Sequence, residues 1–210
     1  MEQVDAAIIK LRTLEGQHAE FGAELLRADD GALFPMDILA VAVLNRSVCL
    51  LVGFCDLVDK RNFVSAAPLL RLQLDNLLRF HGAWLVGKPH DFATDVLRGT
   101  AVRHLEDQSG KQMTDRYLLE KIAIEHPTLK NVYEHTSGYV HLSEKHIFNS
   151  VHAGKEGLTL NMKIGATDSF VREETYLEAA QAFFHVTGVL FQYLQGWLVT
   201  KRGDGALCKH

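Results

Sequence analysis

Hydrophobic residues recur at helical spacing along most of the chain. In the first segment Ile8, Leu11 and Leu25 fall near one face of a helix. The same periodicity predicts a bundle of six to seven helices, over about 2–28, 34–60, 63–86, 91–106, 114–125, 127–143 and 167–200. The predicted fold class is therefore all-α.

Turn-forming residues separate these segments. Asp-Asp-Gly at 29–31, Gly-Lys-Pro at 87–89 and Ser-Gly at 109–110 interrupt the apolar pattern. Thr114 is placed to cap a helix, and Thr-Asp-Ser at 167–169 predicts the start of the last one. Pro68 fits best in the first turn of the third helix, where a backbone N–H has no intrahelical partner.

One region departs from helical spacing. Residues 146–152 and 158–164 are short and rich in β-branched or apolar residues, and a glycine-containing loop at 153–157 lies between them. This pattern predicts a short β-hairpin inserted near the C-terminal helix. Because we find neither an internal repeat nor a long linker, we expect a single helical domain over 1–202 and a flexible tail over 203–210.

The second predicted helix is apolar on nearly all sides, as are helices that lie in a core or span a membrane. Its apolar stretch at 38–58 contains Arg46 and Asp56. An arginine near the middle of a span costs roughly 2.5–3.5 kcal/mol. We therefore expect a buried core helix and no membrane association.

Composition excludes several classes of protein. With 47% hydrophobic residues, 16 glycines and 4 prolines, the chain is neither disordered nor collagen-like. Its net charge of -4 argues against general electrostatic binding of nucleic acid. The N-terminus is acidic, unlike that of a signal peptide, and Cys49, Cys55 and Cys208 form no disulfide framework. We expect reduced thiols and a cytoplasmic location.

The sequence shows no P-loop, dinucleotide-binding glycine pattern, nucleophile elbow or Cys-x-x-Cys pair. Its Glu-x-x-His pair, Glu15 and His18, lacks the second pair that a di-metal helical bundle requires. Five of the 11 histidines fall between His126 and His152, but without the i,i+4 spacing of a helical metal site. We therefore expect neither a metal nor a cofactor.

Three polar residues lie along the leucine-rich third helix. His81 falls within the leucine stripe, and Arg71 and Asp75 flank that stripe. On such a face a histidine is either a satisfied core residue or a ligand. Arg71 either pairs with Asp75, in the weaker i,i+4 orientation, or turns inward to bind a carboxylate, a phosphate or a tyrosine hydroxyl.

The helix predicted over 127–143 has a face that is only half apolar. His141 points away from this face, whose members are Leu129, Val132, Thr136, Tyr139, Val140 and Ser143. Buried hydroxyls need hydrogen-bond partners, so we predict that Arg71 and Asp75 reach the Tyr139–Ser143 part of this face. A small-ligand pocket lined by His81, Arg71 and Tyr139 is a further hypothesis.

Two of these segments together resemble a known group of proteins. Residues 67–80 contain Arg71 followed by Asp75, and residues 133–143 follow the pattern Tyr-x-x-x-Ser-x-x-x-His-x-Ser. The pair resembles prokaryotic all-helical proteins of unknown function, which are similar to the HEPN-like superfamily. Some HEPN proteins are ribonucleases of phage-defence and toxin systems. The positions that carry the resemblance are Arg71, Asp75, Tyr139, His141 and Ser143.

The resemblance also implies candidates for catalysis. Catalytic HEPN proteins resemble one another in an arginine followed at short spacing by a histidine, in which arginine supports the phosphate and histidine moves protons. Here Arg98 and His104 fit that spacing, although Gly99 follows the arginine where those proteins usually have a polar residue. The implied activity is a metal-independent ribonuclease with RNA as its substrate.

The last predicted helix has a wider apolar arc than one core-facing stripe requires. Phe184, Phe191 and Leu198 would form an exposed apolar patch on a monomer, unless the chain itself covers the helix. We therefore expect a homodimer that acts through protein interaction, with the ribonuclease as the alternative function.

Overall fold

The protein folds as an all-α bundle with one short β-hairpin before its last helix, which confirms the predicted fold class. The computed structural model describes residues 2–141, 143–154 and 159–203. Residues 204–210 of the predicted tail lie outside this described part. The elements are α1 Glu2–Arg12, α2 Leu14–Arg27, α3 Pro35–Asp59, α4 Phe63–His81, α5 Pro89–Leu97, α6 Asp115–Ile122, α7 Thr128–Val140, α8 Glu144–Ser150, β1 Val151–Ala153, β2 Leu160–Met162 and α9 Glu173–Lys201.

The first predicted helix is divided at Thr13 into α1 and α2. Thr13 keeps a helical backbone (φ -63°, ψ -22°), and its hydroxyl donates to the Lys10 carbonyl over 2.7 Å. The predicted stop follows: φ is 52° at Asp29, 51° at Asp30 and 80° at Gly31. Because Asp and Gly tolerate positive φ better than most residues, this sequence reverses the chain at modest cost.

Helix α9 lies at the centre of the bundle and packs against α1, α2, α3 and α4. Phe183 stacks on Phe54 of α3 with ring centroids 4.7 Å apart. The exposed patch predicted on this helix is wrong, since Phe191 is 9% exposed, Leu198 is 0% exposed and Phe184 is half-buried. The wide apolar arc is covered by the chain's own helices.

Helix α3 is the described helix that is long and apolar enough to cross a membrane, by length and composition alone. Its polar side chains have partners inside the bundle. Arg46 pairs with Asp75 of α4 over 3.3 Å, and the Ser47 hydroxyl lies 2.8 Å from Nε2 of His18 in α2. These contacts hold α3 against α2 and α4.

A buried chain of hydrogen bonds crosses the core through His18, Ser47, Gln73 and Thr187. The His18 Nδ1 lies 2.7 Å from the Leu14 carbonyl, which only accepts, so Nδ1 is the donor and Nε2 accepts from Ser47. The Gln73 amide then donates to Ser47 over 2.6 Å and to Thr187 over 3.0 Å. This chain joins α2, α3, α4 and α9, and burial, which lowers the pKa of His18, favours the neutral ring.

A fully buried ion pair joins the start of α3 to the end of α9. The Lys201 ammonium lies 2.9 Å from the Asp37 carboxylate, and both side chains are 0% exposed. Asp37 also accepts from the Trp197 indole and the Phe34 backbone N–H, each over 2.8 Å. Lys201 donates further to the Leu25 carbonyl over 2.8 Å. Three helix ends therefore depend on one pair of charges.

The start of α4 corrects two predictions from the sequence. Because α4 begins at Phe63, Pro68 lies in its second turn and not in its first. The helix start predicted at 167–169 is wrong, since α9 begins at Glu173. Asp168 caps α4 instead: its carboxylate accepts from the backbone N–H groups of Phe63 and Val64.

We expect Asp168→Ala to lower the free energy of unfolding by about 1 kcal/mol, because two N–H groups at the start of α4 lose their acceptor. Asp168→Asn keeps a side-chain oxygen that accepts, so its loss should be smaller. Thermal and urea unfolding of the two variants would measure this difference. Equal losses would mean that the cap does not stabilise α4.

Two further segments differ from the prediction. The helix predicted over 91–106 ends at Leu97, and Gly99, with φ at 95°, then turns the chain. The hairpin is present, with Val151 opposite Met162 and Ala153 opposite Leu160. Most of the first predicted strand is instead the helix α8, and residues 155–158 lie outside the described part.

Candidate functional site

Helices α4 and α7 run antiparallel, and this pairing places the candidate residues. The Phe63 ring, at the start of α4, contacts the Tyr139 ring, near the end of α7, with centroids 5.4 Å apart. Two turns further along α4, the Arg71 guanidinium lies 4.3 Å from the centroid of the Tyr133 ring. Arg71 is therefore opposite Tyr133, and Tyr139 is opposite the first turn of α4.

The half-polar face of α7 satisfies hydroxyl groups within its own helix. On this face the Thr136 hydroxyl donates to the Val132 carbonyl over 2.6 Å, and off this face the Ser137 hydroxyl donates to the Tyr133 carbonyl over the same distance. Such bonds to the preceding turn are available to any helical serine or threonine. The sequence predicted that this face needs polar partners on α4. Thr136 needs none, because its hydroxyl is already bonded within α7.

Arg71 and Asp75 belong to a network of charges that joins α3, α4 and α6. Asp75 pairs with Arg79 over 3.2 Å and with Arg46 over 3.3 Å. Arg71 turns towards α6, where Asp115 lies 3.5 Å away and also pairs with Arg79. Asp75 precedes Arg79 by four residues, which is the favourable orientation of a helical ion pair. The network fixes the start of α6 against α4.

His81 ends α4 beside a pocket of about 520 Å³. Its ring lies 4.9 Å from that of Tyr193 on α9, and neither ring nitrogen has a hydrogen-bond partner in the described part of the chain. Burial, with a smaller effect of His126, lowers the pKa of His81 to about 4. His81 is thus a neutral side chain at physiological pH.

The single pocket hypothesised from His81, Arg71 and Tyr139 is divided in the structure. His81 lines the pocket between the end of α4, the end of α6 and α9. Tyr139 lines a separate, mainly apolar pocket of about 380 Å³ between α4, α7 and α9. Arg71 lies in the charge network described above.

Tyr139 and Ser143 connect the bundle to the segment that follows α7. The Tyr139 ring lies 6.0 Å from the ring of His146 in α8, measured between centroids. Burial raises the pKa of Tyr139, and the side chain of Asn149, also in α8, opposes that shift. The Ser143 hydroxyl donates to the Gly138 carbonyl over 2.6 Å, and its N–H donates to His146 over 3.2 Å. His141, next to this junction, is exposed. These residues position the next segment.

We call that segment, residues 143–154 and 159–164, the arm. It consists of α8, β1 and β2. Five of its apolar side chains are at least 58% exposed, and we call them the apolar arm surface: Ile147, Phe148, Leu160, Met162 and Ile164. Strand alternation gives Leu160 and Met162 a common face of the hairpin. On the other strand His152 stacks on Phe170 with centroids 5.6 Å apart.

Arg98 and His104 lie on the exposed segment between α5 and α6. Arg98 ends α5, and the His104 Nε2 accepts a hydrogen bond from the neighbouring Arg103 over 3.2 Å. Among the described residues no group of three or more His, Cys, Asp or Glu is placed to hold a metal ion.

Sequence reasoning missed two residues that the structure brings to these sites. Tyr133 opens the motif at 133–143 and stacks under Arg71, so its position in that motif was a usable signal. Glu125 lines the His81 pocket, but it follows the end of α6, where periodicity carries no information. Trp84, which periodicity places on the same stripe of the third predicted helix as His81, lines that pocket too.

No protein-family model, no curated protein and no solved structure matches the chain. The similarity to HEPN-like proteins stays a prediction from residues 67–80 and 133–143.

Proposed function

We propose that this protein acts through protein interaction as a homodimer, and that the arm is its interface. The observation that carries the proposal is the apolar arm surface, on which Phe148 is 69% exposed and Met162 is 70% exposed. Several large apolar side chains left exposed in one short segment mark a contact with another molecule. The arm contacts α7 through the Tyr139 and His146 rings and contacts the segment before α9 through His152 and Phe170. These contacts present its surface in a defined position.

A second copy of the chain is the occupant that the arm suits. Within the described residues the sheet has two strands, so β1 and β2 each have an outer edge free to pair with another strand. Residues 140–164 contain both Glu and Lys and no run of like charge, so two copies do not repel each other. A two-fold axis would bring apolar arm surface against apolar arm surface.

We expect light scattering of the full chain at micromolar concentration to give twice the chain mass of 23.5 kDa. Phe148→Asp with Met162→Asp should give a monomer, because four carboxylates would be buried at a symmetric interface. Ile9→Asp is the matched control, since Ile9 is 67% exposed on α1, away from the arm. It should leave the dimer unchanged.

Circular dichroism would establish that the double variant keeps its helices, since the substituted side chains are exposed in the monomer. A wild-type monomer under these conditions would contradict the proposal. A dimer that persists in the folded double variant would place the interface elsewhere on the molecule.

The ribonuclease alternative is proposed only on the resemblance, with Arg98 and His104 as its catalytic residues. Incubation of the purified dimer with single-stranded RNA, beside Arg98→Ala and His104→Ala, tests it. Cleavage that both variants abolish would establish it. We also propose a cytoplasmic location, which the free thiols of Cys49 and Cys55 support.

A further inference from the structure

We infer that the pocket beside His81 is a binding site for a small organic cation. Trp84 and Tyr193 form two of its walls, with ring centroids 5.2 Å apart and ring planes inclined at 76°. The face of an aromatic ring attracts a cation through its quadrupole. Two rings at nearly a right angle form a corner in which one ammonium group contacts both side chains.

The rim of the pocket carries a carboxylate of opposite charge. Glu125 is exposed and lines the same pocket as Tyr193. Its negative charge acts at the Tyr193 ring: burial raises the pKa of Tyr193 to about 12, and Glu125 adds to that shift. A ligand cation seated at the aromatic corner therefore lies within reach of an unburied carboxylate.

Three basic side chains, those of His81, Lys121 and His126, line the pocket beside the aromatic corner. Lys121 also lines the pocket, but its ammonium lies 5.3 Å from the centroid of the Tyr117 ring on its own helix. His81 is neutral because burial lowers its pKa to about 4. The His126 ring lies further from Tyr193 than those of His81 and Trp84, with centroids 6.2 Å apart.

The size of the pocket and its lining define the class of ligand. A volume of about 520 Å³ holds a trimethylammonium group together with a short polar tail. Gln192 on the rim offers a neutral amide to such a tail. The ligand class is thus a quaternary or alkylated ammonium compound, and the site is independent of the arm.

Choline and its neutral isostere 3,3-dimethyl-1-butanol are the probes that test the inference, by calorimetric titration of the full chain. We expect choline to bind with a dissociation constant on the order of 1 mM. The neutral isostere should bind about tenfold more weakly than choline. Equal affinity for the two probes would overturn the inference, because the pocket would then recognise shape and apolar surface alone. Failure of choline to bind at about 50 mM would also overturn it.

Substitutions assign the binding to this pocket. Glu125→Gln should weaken choline binding about fivefold, and Trp84→Leu should weaken it tenfold or more. Glu120→Gln is the matched control, because Glu120 is an exposed carboxylate nearby that pairs with Arg116 and does not line the pocket. Glu125 is exposed, so its variant tests the site even where Trp84→Leu disturbs folding. Unchanged choline binding by Glu125→Gln would overturn the assignment.

Discussion

Lys201→Met is expected to lower the free energy of unfolding by about 3–5 kcal/mol. Methionine matches the lysine side chain as far as Cε but has no ammonium group, which leaves the Asp37 carboxylate buried without its counter-ion. Trp197 and the Phe34 N–H still donate to that carboxylate, yet neither carries a charge. The variant also loses the bond from Lys201 to the Leu25 carbonyl. Urea unfolding followed by circular dichroism measures the loss.

Arg202→Met is the matched control for this experiment. Arg202 is the next residue along the chain and pairs with Glu24 over 3.2 Å, but its side chain is 43% exposed and that of Glu24 is 53% exposed. Its loss should cost less than about 1 kcal/mol, because solvent screens an exposed pair. Combining Lys201→Met with Asp37→Asn should recover part of the stability, since no lone charge is left. A loss for Lys201→Met as small as that for Arg202→Met would contradict the stabilising role of the buried pair.

The helices could be predicted because apolar residues recur along them at helical spacing. The stripe containing Leu74 and Leu77 on α4 and the cap at Thr114 each depend on residues within a few positions of one another. Local patterns of this kind determine where helices form. The same patterns predicted that α3 is a core helix, and its length and apolar character equally fit a membrane span.

The contacts that place the candidate sites join distant parts of the chain. Asp168 is a residue type that often caps helices and lies just before α9, but the fold brings its carboxylate to the start of α4. The Lys201–Asp37 pair joins the end of α9 to the start of α3, and no periodic pattern in the sequence indicates it. Such pairs form only when tertiary packing is complete, so sequence spacing alone does not reveal them.

On the half-polar face of α7, the sequence placed Thr136 correctly but predicted a hydrogen-bond partner that its hydroxyl does not need. Periodicity put Thr136 on the inner face of its helix, where it is 5% exposed. A buried hydroxyl there was expected to need a partner on another helix, whereas the Thr136 hydroxyl donates to the Val132 carbonyl of its own helix. Tyr139 differs, because a tyrosine hydroxyl lies too far from its own backbone for such a bond. Its ring instead packs against that of His146 and links the bundle to the arm.

Burial makes the stability of the bundle depend on pH through His81. Its pKa falls from 6.5 to about 4 on folding, mainly because the charged ring is removed from water. Between these values the unfolded chain binds a proton that the folded chain does not, so stability decreases as the pH falls from 6.5 towards 4. From about pH 7 to about pH 5 this group alone removes roughly 2 kcal/mol. Burial lowers the pKa of His18 as well, which acts in the same direction.

We therefore expect His81→Phe to lose about 2 kcal/mol less than the wild type between about pH 7 and pH 5. Phenylalanine keeps an aromatic ring against Tyr193 and does not titrate. Carboxylates and His18 titrate in both proteins, so their effects cancel in the comparison. His104→Asn is the control, because His104 is exposed and its replacement should leave the pH dependence unchanged. Urea unfolding of the wild type and one variant, each at both pH values, gives the four free energies that each comparison needs. The same loss in His81→Phe as in the wild type would mean that the buried His81 ring is not what opposes protonation.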